Sequence, residues 1–211
     1  MQLLIKLFQH INRKVAVRAV ACALIFCISL SICGFSAKCD VIRENVLRLH
    51  IIANSDSAED QSLKLEVRDR LLEVSQTVFG GCDTQAYAVK AARENIGVFE
   101  AEARKVVRES GYNYTVVVEV DDVWFETRDY ENFSLPAGTY EALRVIIGEG
   151  AGHNWWCVMF PSVCLPAAAK ERKSFSKVLS DGECEIVTKP TKYKAQFKIV
   201  EVFEKLRKSV Y

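Results

Sequence analysis

Cys157 and His153 stand four residues apart inside GEGAGHNWWCVMFPSVC, the stretch from Gly148 to Cys164. A thiol beside an imidazole can become a thiolate nucleophile, the chemistry of a Cys-dependent hydrolase, with His50 as a second possible base. Four-residue spacing joins two side chains on a helix, but three glycines and two tryptophans here argue against a helix. No carboxylate or amide is marked as the group that would orient either imidazole. A staple is the competing use of the same residues. A Cys157–Cys164 bridge would close an eight-residue loop containing Pro161. On a chain-entropy estimate it would stabilise by roughly 2.5 kcal/mol. A loop held that way displays His153, Asn154, Trp155 and Trp156. Alternation along a strand sends one ring inward as core and the other outward, where tryptophan is a typical interface anchor.

Asn54, Ser55 and Asp56 form a second polar group, placed where a strand should end. Their oxygens could face a cation, but the acidic positions and distal glutamate of an EF-hand are missing. A turn that caps the following helix is the simpler reading. The three histidines share no ligand spacing, and no CxxC occurs. No GK[ST] follows the Gly148-x-Gly150-x-Gly152 run, so it is not a phosphate loop. No metal, cofactor or small-molecule substrate is therefore expected.

The elements that must position these residues read as follows. VLRLHIIA, from Val46, alternates Leu47, Leu49 and Ile51 against Arg48 and His50, which predicts a strand. Ser57, three residues before Asp60, predicts a capping box. The helix beyond carries Leu63, Val67, Leu71 and Val74 on one stripe and ends at Gly80-Gly81, where glycine suits a left-handed turn. A second helix is expected from Asp83 or Thr84 to Glu109, closed by Gly111, with Gly97 as its weak point. Tyr112–Val120, Val123–Tyr130 and Tyr140–Ile147 read as consecutive strands, the first two joined by an Asp121-Asp122 turn. A final helix is expected over Tyr193–Ser209, its apolar stripe Phe197, Val200, Phe203 (or Glu204) and Leu206. Helices grouped between strands predict an α+β fold: a mostly antiparallel sheet of about four strands with two long helices on one face.

Charge adds a compartment. The chain has 211 residues and a formal net charge of +1. Residues 1–39 carry Lys6, Arg13, Lys14, Arg18 and Lys38 and no acid, while the remainder has 23 basic and 27 acidic residues. Ala19–Phe35 is an uncharged, mostly apolar run behind four cations, the layout of a signal peptide or a short signal anchor. Export and membrane contact through this segment are expected, and no basic face for nucleic acid is visible beyond it. Cys39, Cys82, Cys157, Cys164 and Cys184 lie past the run, an odd number, so at least one thiol is left over or joins another chain. Three segments are expected: 1–39 as signal or anchor, 40–170 as the exported domain, and 171–211 as a helical extension.

VLRLHIIANSDSAEDQSLKLEVRDRLL and LPAGTYEALRVIIGEGAGHNWWCVMFPSVC together resemble the stage II sporulation protein R family of endospore-forming bacteria, over roughly residues 40–170. The resemblance implies signalling rather than catalysis. Family members are exported from the forespore into the space between forespore and mother-cell membranes. They activate a membrane-embedded aspartyl protease that processes pro-sigma-E. No catalytic residue is carried over. His50, Asn54, Ser55, Asp56, Arg68, Asp69, Asn154, Trp155, Trp156 and Cys157 match family motifs as fold or contact residues. A structural cell-envelope protein is the third reading, after the exported signal and the hydrolase.

Overall fold

The computed structural model of the chain describes residues 13–163 and 171–210. The described chain divides into two units, one up to Lys38 and the other from Cys39 onward. The first is helical and belongs to α1 (Arg13–Glu44), a helix long and apolar enough to cross a membrane, with Val20, Leu24, Ile25 and Phe26 exposed along it.

The second unit is built on a four-stranded sheet of order β2-β5-β1-β6, with β1 Leu47–Ile52, β2 Val116–Phe125, β5 Gly138–Ile147 and β6 Asn154–Phe160. β1 runs parallel to β5 and antiparallel to β6, and β2 is antiparallel to β5, so the α+β sheet is mixed. The helices α2 (Ala58–Phe79), α3 (Gln85–Glu94) and α4 (Ile96–Glu109) supply the long crossover that a parallel pair requires. Leu47, Leu49 and Ile51 pack with Leu63, Val67, Leu71, Phe99 and Ala103 from these helices in the main core. A short pair, β3 (Arg128–Asp129) and β4 (Ser134–Leu135), lies outside the main sheet. After residue 170 come α5 (Glu171–Phe175), α6 (Asp181–Thr188) and α7 (Pro190–Val210).

Several expectations change in detail. The helix expected from about residue 83 to Glu109 is interrupted at Asn95 (φ −112°, ψ 17°), two residues from Gly97; Thr84 caps its first half. Gly111 closes the second half at φ +85°, as glycine allows. Gly80 is right-handed (φ −59°) instead, and a Cβ there would lie 2.8 Å from the Gln76 carbonyl oxygen. Asp121-Asp122 is no turn: both residues sit inside β2, paired to Ala142 and Glu141. β2 is an edge strand, where carboxylates reach water without leaving the ladder. The polar face of β1 is also unlike its expectation. Every residue of that strand is buried, Arg48 and His50 included, because a central strand is covered from both sides.

The last turn of α1 belongs to the second unit, with Cys39, Ile42 and Arg43 buried. Arg43 donates to the Ala137 carbonyl oxygen at 2.7 Å and pairs with Glu204 of α7 at 3.3 Å. That pairing turns α7 from its expected orientation. Phe197 and Val200 are buried, but Glu201 and Glu204 are buried beside them, while Phe203 and Leu206 are exposed.

Candidate functional site

Parallel pairing puts the carboxyl ends of β1 and β5 at the same end of the sheet, so the Asn54–Ser57 turn and the Gly148–His153 loop meet there. Ser57 Oγ accepts the Asp60 amide proton and starts α2. The other half of the expected capping box is absent. The Asp60 carboxylate accepts from Asn54 Nδ2 at 2.8 Å and from Ser55 Oγ at 2.5 Å. Burial raises the Asp60 pKa, but these bonds and one from Tyr114 outweigh it and hold the carboxyl below its ordinary 3.8.

The loop is laced to that turn mostly through backbone groups. Glu149 N–H donates to Asn54 Oδ1 at 3.0 Å, Ala151 N–H to the Asn54 carbonyl at 3.1 Å, and Gly152 N–H to the Ala53 carbonyl at 3.0 Å. Asp56 Oδ1 accepts from the His153 amide at 2.6 Å and is hydrogen-bonded to His153 Nδ1. The His153 side chain is the main reason that the Asp56 carboxyl lies below its ordinary 3.8. Lys64, from α2, reaches across to the His153 carbonyl at 2.8 Å. Two glycines make the approach possible. A Cβ on Gly148, at φ +58°, would meet Asn54 Oδ1 at 2.2 Å, and one on Gly152 would meet the Ser55 carbonyl oxygen at 2.2 Å. The result is a polar knot that presents Asp56, Glu149, Ala151, His153 and Asn154 to solvent.

β6 carries the two tryptophans away from the knot on opposite faces. Trp155, opposite Ile51, packs against the main core under the Arg68 guanidinium, 4.5 Å from its ring centroid. Its Nε1 is buried without a hydrogen-bond partner among the described residues. Trp156 stacks on His50 with centroids 3.9 Å apart and meets Phe125 edge-on at 4.7 Å. Each ring is half-buried, so neither is the freely projecting anchor that alternation predicts.

On the Trp156 face lies a feature that sequence reasoning missed. Arg48 is fully buried, with its guanidinium 4.0 Å from the Phe125 ring centroid and 4.9 Å from that of Tyr140. It donates to the Cys157 carbonyl at 3.0 Å and to Tyr130 Oη at 2.7 Å. No carboxylate pairs with it among the described residues. His50 Nε2 faces Asn154 Oδ1 at 2.8 Å; since that oxygen only accepts, Nε2 carries the proton. Burial, with a smaller contribution from Arg144, lowers the His50 pKa below its ordinary 6.5. The signal available beforehand was the aromatic density of Trp124–Tyr140, a shell without an assigned filling.

These positions separate the components of a Cys–His pair. Cys157 lies opposite Leu49 in the core, whereas His50 points to the other face. His153 is four residues from Cys157 along an extended chain, about 13 Å at strand rise, and is turned to Asp56. Arg68 Nε donates to its neighbour Asp69 at 2.7 Å, so the Arg68–Asp69 motif pair serves the α2 surface and the Trp155 ring. Cys164 lies outside the described residues.

No solved structure matches the chain. Stage II sporulation protein R of Bacillus subtilis (strain 168) is 35% identical to it over 153 residues, 67% of this chain and 68% of that protein. The family described as stage II sporulation protein R matches residues 43–170, from the buried Arg43 through the sheet, the knot and β6. The chain therefore belongs to the stage II sporulation protein R family.

Proposed function

We propose that this protein, whose family supports a role in sporulation, is an exported signal that works by docking. Its partner would be the extracytoplasmic part of the membrane-embedded aspartyl protease that processes pro-sigma-E. The apolar α1 would carry it out of the forespore as a signal peptide or hold it at the membrane as an anchor, with residues 40–170 as the signalling domain and 171–211 as its extension. Docking activates a protease only through tighter binding to its active arrangement, here its dimer.

One observation carries the reading: two segments joined by bonds spanning 95 and 97 residues of chain are tied into a single exposed knot at one end of the sheet. Its backbone-to-backbone lacing gives a preorganised surface, and preorganisation lowers the entropic cost of association. A Cys157–Cys164 bridge would hold the far end of β6 in the same way. Cys157 is disulfide-bonded, which supports that pairing, whereas Cys39 and Cys82 are thiols. Mass spectrometry of the non-reduced protein should find a peptide joining Cys157 to Cys164.

Co-expression of the chain with the protease and its precursor substrate, in a host lacking sporulation genes, tests the proposal by scoring cleavage. Wild type should trigger processing. Glu149→Lys and His153→Ala alter exposed groups, and each should cut processing about tenfold, the scale of one or two interface contacts. Wild-type processing by both, with near-ultraviolet circular dichroism unchanged, would remove the knot as the docking surface. No processing by wild type would remove the protease as the partner.

A further inference from the structure

We infer that α7 lies on an anionic lipid surface, through an apolar stripe pointing away from the fold. Ile199, Val202, Phe203 and Leu206 recur at three- and four-residue intervals and are 45%, 50%, 51% and 62% exposed. The opposite side is occupied: Phe197, Val200, Glu201 and Glu204 are buried, and Glu204 is paired with Arg43. The orientation of the stripe is thus set by contacts on the other side of the helix. Four large apolar side chains in one line on a soluble surface mark an interaction site.

Charge chooses the occupant. Lys192, Lys194, Lys198, Lys205, Arg207 and Lys208 lie on this helix, and its two acids are the buried Glu201 and Glu204. At helical spacing Lys194 and Lys198 lie on one side of the stripe and Arg207 on the other, all three exposed. Lys198 pairs with Glu201 at 3.0 Å and Arg207 with Glu204 at 3.5 Å, and six cations against two acids still leave the helix a net charge of +4. An apolar line between rows of cations is the design of a helix lying in the headgroup region of a negatively charged bilayer. A second copy would set cations against cations, which opposes pairing. The inference is independent of the proposed protease contact, because that surface is the knot and this one is α7.

The test uses the full chain, reconstituted through its amino-terminal helix into lipid nanodiscs. Phe203→Trp places a reporter on the stripe at an exposed position, and lipids brominated near the headgroup quench a tryptophan that touches them. In discs containing phosphatidylglycerol, Phe203→Trp should lose about twice the fraction of fluorescence that wild type loses, as expected of a ring seated at the headgroup boundary. In phosphatidylcholine discs the extra quenching should largely vanish. Adding Leu206→Glu and Lys194→Glu should abolish it in either disc while far-ultraviolet circular dichroism stays unchanged. No extra quenching with phosphatidylglycerol would overturn the inference, as would equal quenching in both discs. Crosslinking of two chains at position 203 without quenching would assign the stripe to a second copy and overturn it too.

Discussion

Arg48 and Leu49 are neighbours in β1, both fully buried, and their surroundings are opposite in kind. Leu49 enters an aliphatic cluster supplied by α2, α3 and α4. Arg48 enters a shell of Phe125, Tyr130 and Tyr140, and the buried His50 lies beside Trp156 on that same face. The first environment is non-directional: apolar area leaves water and the stability gained follows that area. The second is directional, since a buried guanidinium recovers its lost hydration only where acceptors and ring faces are correctly placed. Arg48 has two acceptors and lacks a partner for one of its terminal nitrogens among the described residues. One face thus holds the fold together, while the other fixes how the β2–β5 region and β6 meet.

The contrast has measurable consequences. Leu49→Ala opens a cavity in the main core and should lower unfolding stability by about 3 kcal/mol, measured by urea titration in mild detergent. Gly148→Ala should cost about 2 kcal/mol, because a left-handed residue acquires a Cβ that collides with Asn54; this damage belongs to the knot and should also lower precursor processing. Arg48→Met keeps the volume and removes the charge, so stability should change by less than about 1 kcal/mol in either direction. A loss as large as that of Leu49→Ala would mean that the two faces contribute alike.

His50 adds a pH dependence to the aromatic face alone. Its folded-state pKa lies below 6.5, so the unfolded chain binds the proton first as pH falls. Its contribution is complete above pH 6.5 and declines as pH drops through that value toward the folded pKa. His50→Gln should flatten that part of the stability–pH curve, read by thermal melts between about pH 8 and pH 5. The smallest effect is expected at Trp155→Phe. It deletes a buried N–H without a partner among the described residues and keeps a ring for Arg68, so stability should move by no more than about 1 kcal/mol.

Local chemistry made much of this legible in advance. Ser57 announced the start of α2, and the Leu47-Leu49-Ile51 alternation announced β1 and its core face. The glycines and tryptophans of GEGAGHNWW argued against a helix, and the stretch is a loop running into β6, with Gly148 and Gly150 at positive φ. The adjacency of that loop to Asn54–Asp56 was not legible, because it follows from the parallel pairing of β1 with β5, and no local pattern encodes a partner 94 residues away. The Asp121-Asp122 misreading has the same origin: two acids suit a turn or an edge strand equally well, and only the sheet order makes β2 an edge.

The sequence by itself therefore determined the class of fold, the apolar amino-terminal helix and the family, because each is written in short-range periodicity or in long contiguous motifs. Tertiary structure decided that Arg48 and His50 are interior, that Glu204 faces inward while Phe203 faces out, and that two distant polar segments form one knot. Polarity alone misplaces such residues. A charged side chain is buried wherever partners elsewhere in the chain supply acceptors, counter-charge or ring faces, and those partners meet it only when the chain has folded.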